Sequence, residues 1–260
     1  MQVHHATRVL ASARRGSSWP LLLDTDGGPF LTKLRGAGHG VAALVAEVLV
    51  AGLAEALGLR VPRRALVAIE GEIVSENRDP ELLHLLDASR GLNLGFERLE
   101  GVRDVRPEDL PRINADDAAT IAWLDGLVMN PDRGGRNPNL LLRGRELWLV
   151  DHGSALFFHH DWSKVTEDSP RRVVRAGPVH ALAGVARDVA EWDAVLAEAL
   201  GRDVLRAAVA EVPDDFIAPL LRGAATPAAL HRRREAYVAF LWKRLKAPRA
   251  FAAALGVGAG

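Results

Sequence analysis

The feature that most narrows what this chain can fold into is the run "VAALVAEVLVAGLAEALGL", residues 41 to 59, which carries only two ionisable side chains, Glu47 and Glu55, among Ala, Val and Leu. Its spacing predicts one helix ending at Gly58, and a helix so apolar must be largely covered by other elements. Glu47 lies midway along it, flanked by Ala43, Ala46 and Ala51. A carboxylate buried there requires a cation, because an unpaired one costs several kcal/mol. The candidate is Lys33 in "GPFLTKLRG", fourteen residues earlier. In the competing reading Glu47 points to water on a narrow polar stripe, and Lys33, beside Leu31 and Leu34, simply faces solvent.

The surroundings of that helix set the fold class. With 260 residues and 48% hydrophobic content, the chain can bury a full core as one domain or as two lobes sharing a cleft. Before residue 110 short strands are expected in "SWPLLLD", "PFLTKLRG", "RALVAIEG" and "EIVSE". After it comes a helix, "NADDAATIAWLDGLVMN", with Asn114 as N-cap and Asp116 and Asp117 in its first turn. Two strands, "NLLLR" and "ELWLVD", follow across a "GR" turn, and from about residue 179 the spacing is helical. The expectation is an α+β fold in two lobes, a small mixed half at 1–110 and a larger, mostly helical half at 111–260, with a ligand between them.

Charge and composition remove several functions. The 33 basic and 33 acidic side chains sum to zero, so no overall field favours nucleic acid or an anionic membrane. There is no cysteine, which excludes disulfides, thiolate nucleophiles and sulfur-ligated zinc. The start, "MQVHHATRVLASARRG", lacks an apolar signal core, and no run reaches the roughly 18 apolar residues of a membrane span. A cytoplasmic location is the expectation.

The chemistry is concentrated in "NPDRGGRNPNLLLRGRELWLVDHG", residues 130 to 153. Oxygen-bearing side chains at the ends of apolar strands commonly serve a site. Phosphoryl transfer needs a group to orient or deprotonate the acceptor hydroxyl, oxygen ligands for Mg²⁺, and a cation on the nucleotide phosphates. Asp132 follows a helix, and Asn137 comes five positions later, the kinase catalytic-loop spacing in which Asp is the base and Asn holds metal. Asp151 closes the hairpin in "LVDHG", where Asp-His-Gly takes the place of the kinase Asp-Phe-Gly, and its carboxylate suits a hard cation. Taken singly, Asp and Asn in a loop rich in Gly and Pro are turn formers. A strand lysine paired with a helix glutamate, here Lys33 and Glu47, is the kinase arrangement for holding the α and β phosphates.

Together these residues resemble the HipA-like kinase family, whose two-lobed fold is related to protein kinases and phosphatidylinositol kinases. The resemblance rests on "FLTKLRG", "LVAEVLVAGLAEALGLRVP", "WLDGLVMNPDRGGRN" and "LWLVDHGSALFF", and covers roughly residues 16 to 165. It implies ATP and Mg²⁺ as cofactors, Lys33 on the ATP phosphates, Asp132 as the catalytic aspartate, and Asn137 and Asp151 as metal ligands. It also implies a Ser or Thr hydroxyl on a protein as acceptor, and leaves open an antitoxin-like regulatory partner. Two departures stand out. The nucleotide lysine is already at residue 33, where HipA itself carries an additional N-terminal segment, and there is no G-x-G-x-x-G. The stretch "RGSSWPLLLDTDGG" offers Ser17 and Ser18 for the phosphate-covering loop, and in HipA-like kinases a serine of that loop can itself be phosphorylated. The adenine hinge is sought in "ASRGLNLGFERLEG", at Glu97 to Leu99.

Other residues divide between two readings. Arg133 and Arg136 either bind phosphate or an acidic substrate, or pair with Asp125 or solvent. His152 either orients Asp151 or fills the middle of its triplet. His159, His160 and Asp161 have the ligand types of a metal site but no third motif, and the six tryptophans are packing residues. The tail "HRRREAYVAFLWKRLKAPRA" reads as a solvated outer face rather than a lipid-binding helix. The expected activity is an ATP- and Mg²⁺-dependent phosphotransferase. A small-molecule or lipid kinase of the same fold, a nucleotide-binding pseudokinase, and a helical protein with no ligand are its rivals.

Overall fold

The structure, a computed structural model, describes residues 1–12, 19–135, 137–173, 180–186 and 189–256. Its strands and helices in chain order begin with β1 (Val3–Ser12), β2 (Leu21–Thr25), β3 (Phe30–Lys33), α1 (Gly40–Ala56), β4 (Arg64–Ile69), α2 (Pro80–Ala88), β5 (Gly91–Glu97) and β6 (Arg103–Asp104). They continue with α3 (Ala115–Val128), β7 (Leu140–Arg143), β8 (Glu146–Leu149), α4 (Val189–Ala199), α5 (Arg202–Ala210), α6 (Asp214–Ile217), α7 (Pro227–Leu245) and α8 (Ala250–Gly256). Mixed α and β structure is therefore present, as expected.

The first five strands close into a barrel in the order β1-β2-β3-β5-β4, antiparallel throughout except where β1 runs parallel to β4. Alternation explains how β2 works: Leu21, Leu23 and Thr25 point inward while Leu22 and Asp24 are partly exposed. Inside, Leu21, Leu23, Phe30, Val67 and Ile69 form a cluster that α2 covers with Leu82, Leu85 and Leu86. Gly95 lies in this wall because a Cβ there would come within 2.7 Å of Val67 and 3.0 Å of Phe30.

Two expectations for this half are corrected. β1 lies in a stretch for which no strand was expected. Only Val9 of its ten residues is buried, and register shifts interrupt its pairing with β2, so the strand has no alternation to reveal it. The segment "EIVSE" is not a strand: Val74 makes one isolated bridge to Arg8, with Val9 N–H donating to its carbonyl at 2.8 Å.

α1 is the pivot of the main core. Leu44, Val45, Val48, Leu49 and Leu53 are buried in a cluster shared with α3 and the C-terminal helices, and α1 packs against α5, α6 and α3. Each such Val or Leu contributes about 1.5–3 kcal/mol relative to exposure. The three-stranded sheet β6-β7-β8 is tied to the chain just after α1 by Leu149 N–H donating to the Arg60 carbonyl at 2.8 Å. α3 starts as expected, with the Asn114 side chain accepting from Asp116 N–H and Asp117 N–H. Among the described residues no helix is long and apolar enough to cross a membrane.

The tail is corrected in part. α7 does present an exposed face, but it buries Tyr237, Val238, Phe240 and Leu241 together with the charged Arg244. Arg244 donates to the Gly126 and Leu127 carbonyls at 2.6 and 2.7 Å, and to those of Pro170 and Arg172 at 2.6 and 2.9 Å. It thus caps the carbonyl end of α3 with a cation, where orphan acceptors and the helix dipole both favour one. Burial with no carboxylate opposite lowers its pKa to about 10.

Candidate active site

Lys33 is the last residue of β3, and its register partner on β5 is Leu94. Its ammonium donates to Glu47 of α1 and to Oδ1 of Asp151, the latter at 2.5 Å. Glu47 is fully buried, as the apolar helix demands, and Lys33 retains only 13% side-chain exposure. Burial disfavours the ammonium, but Glu47 and Asp151 outweigh it and hold the Lys33 pKa above its ordinary value. For Glu47 the balance falls the other way: burial pushes its carboxyl up, and Lys33 only partly offsets this. Asp151 also resists burial, yet Lys33 keeps it ionised with its pKa lowered.

Backbone geometry brings Asp151 to this cluster. β8 ends at Leu149, Val150 N–H donates to the Asn139 carbonyl at 3.2 Å, and Asp151 then takes a left-handed conformation with φ of 59°. Asp is among the residues that tolerate that region. Gly153 packs directly on α1, where a Cβ would stand 3.2 Å from Oε1 of Glu47 and 3.3 Å from the Ala43 side chain. The glycine of the Asp-His-Gly triplet is therefore required by close approach to the same helix that carries Glu47.

Asp132 is set by the end of α3. The helix stops at Met129 in a left-handed turn, Asn130 N–H donates to the Asp125 carbonyl at 2.9 Å, and the Asn130 side chain accepts from Asp132 N–H at 3.1 Å. Asp132 is half-buried, and one of its carboxylate oxygens accepts from the Asn139 side chain at 3.3 Å. Its other oxygen takes no hydrogen bond from a described residue. Asn137 is exposed, and its side chain makes no hydrogen bond among the described residues.

Beneath this loop runs a buried polar network. Arg133 is fully buried: Nε donates to Asp125 at 2.6 Å, and Nη1 donates to the Pro138 and Asn139 carbonyls at 3.1 and 2.7 Å. Its Nη2 lies 3.4 Å from Nδ1 of His152, and His180 Nε2 meets the same Asp125 carboxylate at 3.0 Å. Of the two readings of Arg133, the structure has the pairing with Asp125. Burial opposes the charge on Asp125, but Arg133 and His180 hold its carboxyl far below the usual range. For His152 burial and the adjacent guanidinium act together and lower its pKa to about 3, so it is neutral and joins the triplet to Arg133. One guanidinium thus fixes α3, the loop after Asp132 and the residue after Asp151 relative to one another.

Two further expected site residues lie at and beyond the end of β5. Glu97 ends β5, exposed and paired with Arg63 at 3.3 Å, and Leu99 is half-buried just beyond it. Among the described residues neither makes a hydrogen bond or ion pair with Lys33, Glu47 or Asp151. Ser17, Ser18 and Arg136 lie outside the described residues. His159 bonds to the Tyr237 hydroxyl at 3.0 Å and Asp161 caps a short turn at Ser163; among the described residues no three His, Asp or Glu side chains are grouped as for a metal. Sequence reasoning missed Asn130, Asn139 and His180. The first two lie within residues 130 to 153, where Asn130 before Pro131 is a turn signal. His180 meets Asp125 across 55 positions, and nothing local marks it.

Comparison with known proteins agrees on the family. The family model described as HipA-like kinase matches residues 6–218. The chain belongs to the HipA-like kinase family, and is by that membership of a kinase class. It is similar in structure to a crystal structure of a Helicobacter pylori proinflammatory kinase, CtkA, with a TM-score of 0.49 and 10% sequence identity, covering 94% of this chain and 98% of that one. No curated protein matches it.

Proposed function

We propose that the chain is an ATP- and Mg²⁺-dependent phosphotransferase acting on a Ser or Thr hydroxyl of a protein, with residues 1–110 and 111–260 as its two lobes. The observation that carries this reading is the convergence of Lys33, Glu47 and Asp151, from a barrel strand, a buried helix and the end of a hairpin. A lysine ammonium has three donors. With Glu47 holding one, the others are available for nucleotide phosphate oxygens once Asp151 turns to a metal.

The donor set fits Mg²⁺. Asp151 and Asn137 offer carboxylate and amide oxygens, the chain has no cysteine, and Mg²⁺ takes few protein ligands, completing its shell with water and phosphate. When bound, the ion neutralises charge developing on the phosphoryl oxygens. Asp132 is the base: its carboxylate accepts the hydroxyl proton as the acceptor oxygen bonds to the γ-phosphorus and the bond from that phosphorus to the bridging oxygen breaks, releasing ADP. Asn139 and Asn130 hold Asp132 in place, and Arg133 holds the loop that carries both asparagines' partners.

The test is Asp132→Asn with γ-labelled ATP and a cell extract. Transfer to protein is expected to fall by about 10²-fold or more, the scale of a positioned base, with stabilisation by Mg²⁺-ATP retained. Transfer at the wild-type rate in that variant refutes the role of Asp132. A wild type that Mg²⁺-ATP neither stabilises nor turns into a phosphoryl donor refutes the phosphotransferase reading altogether.

A further inference from the structure

Six residues beyond the Asp-His-Gly triplet the chain enters a cavity of about 610 Å³, within the size range of ligand pockets. Its walls are Trp162, Pro219 and Leu221, and its rim carries Arg222, Arg232 and Arg233. The single lining carboxylate, Asp161, is already engaged by Ser163, by Lys164 at 3.2 Å and by Arg222 at 3.5 Å. Arg233 lies over the Trp162 ring, 4.8 Å from its centroid, and donates to the Leu220 carbonyl at 3.3 Å, with no carboxylate partner among the described residues. Arg232 has no partner among the described residues. His159 lines the same cavity and is bonded through Nδ1 to the Tyr237 hydroxyl at 3.0 Å. In a chain with no net charge, a pocket lined by three guanidinium groups and one satisfied carboxylate suits an anion.

The cavity is also placed with respect to the Lys33 cluster. His160 on its rim meets His39 edge to face, with ring centroids 5.7 Å apart. His39 is the N-cap of α1, eight residues before Glu47, which is about 12 Å along a helix axis. With the ring contact added, the path from cavity to cluster is about 18 Å, roughly the reach of five or six extended residues.

We infer that this cavity recognises an anionic side chain, Glu, Asp or a phosphorylated residue, on the polypeptide acceptor, about five or six positions from the hydroxyl that receives the phosphoryl group. The inference rests on the kinase reading and adds the acceptor's class. The planar guanidinium groups suit carboxylate and phosphate equally, and the apolar wall of Trp162 and Leu221 takes the aliphatic part of the bound residue.

The experiment uses the full chain, Mg²⁺ with γ-labelled ATP, and a degenerate Ser/Thr peptide library with Glu, phosphoserine or Lys fixed at each position up to six residues either side of the acceptor. Wild type is expected to favour Glu or phosphoserine over Lys by about tenfold or more at one position five or six residues away. Arg222→Glu combined with Arg232→Glu, both at exposed positions where folding is not at stake, is expected to turn that preference toward Lys at the same position. The Glu and phosphoserine arms separate an acidic from a phosphorylated acceptor. Phosphorylation without an acidic preference, or with one that the charge reversal leaves intact, overturns the pocket and leaves the kinase standing. If Mg²⁺-ATP raises the melting temperature but no peptide is labelled, the acceptor is not a polypeptide and the inference falls. If Mg²⁺-ATP does neither, the kinase reading falls and takes the pocket with it.

Discussion

Replacing Arg133 by Met tests whether this guanidinium is the brace of the site or a phosphate ligand. The side chain has no exposure, so the substitution keeps its apolar length and removes one ion pair and two bonds to carbonyls. Breaking a buried pair from one side costs about 3–5 kcal/mol, because the other charge stays buried. Asp125 keeps His180 and the Asn130 amide, which puts the loss near the lower end, about 3 kcal/mol, or roughly 6–12 °C in melting temperature for a chain of this size. The pH dependence has a definite sign. In the wild type the folded pKa of Asp125 lies below the ordinary 3.8, so its stabilising contribution is complete above that value and lost as pH falls below it. Without Arg133 that contribution disappears, and burial instead favours the protonated acid. The deficit is therefore full near neutral pH and shrinks toward about pH 4. Thermal melts followed by circular dichroism at about pH 7.5 and about pH 4.5 measure it. A variant that melts with the wild type at both pH values, but has lost Mg²⁺-ATP binding, refutes the structural role and returns Arg133 to the phosphates.

Two further variants probe neighbouring parts. Asp151→Ala is expected to weaken Mg²⁺-ATP binding itself by calorimetry, since it removes the metal's carboxylate, whereas unchanged affinity excludes Asp151 as a ligand. Arg244→Met leaves four carbonyls of the α3 terminus and the segment at 170–172 without their donor, and is expected to destabilise the chain by about 3 kcal/mol in urea titration. A change below about 0.5 kcal/mol would mean that water replaces the cap.

What could be read from sequence followed the range over which each signal acts. α1 announced itself because nearly every position is apolar, and the same apolarity forced a cation on Glu47, a long-range contact inferred from a local cost. The β7-β8 hairpin was legible from its turn, where Gly144 has φ of 61°. β1 was not legible, since a strand with one inward side chain has no period to detect. α2 carried signals that were passed over: Asp79 before Pro80 is an N-cap followed by a proline in the first turn, and Asp79 does accept from Glu81 N–H at 2.9 Å. From sequence Arg244 reads as surface because a charge on a helix is usually solvated, and only tertiary packing sets it against the carbonyl end of α3.

The charge balance at Lys33 separates stability from binding. In the structure one ammonium serves two carboxylates, and of the two Glu47 is the one that the fold disfavours, since burial raises its pKa above the ordinary 4.5. The sign follows: an acid whose folded pKa is raised opposes folding above its unfolded value, and that opposition vanishes as pH falls below it. Glu47→Gln removes the disfavoured charge while leaving Lys33 its bond to Asp151. At neutral pH the free variant is therefore expected to melt no lower than the wild type. In the nucleotide complex the balance reverses, because Asp151 is drawn to the metal and Glu47 becomes the carboxylate that holds Lys33 toward the phosphates. Glu47→Gln should then weaken Mg²⁺-ATP binding by about tenfold, one charge-assisted hydrogen bond. Melting curves and calorimetry on the same preparation give both quantities. A variant that melts several degrees lower and binds Mg²⁺-ATP as the wild type does would show that the Lys33–Glu47 pair serves the fold and not the nucleotide.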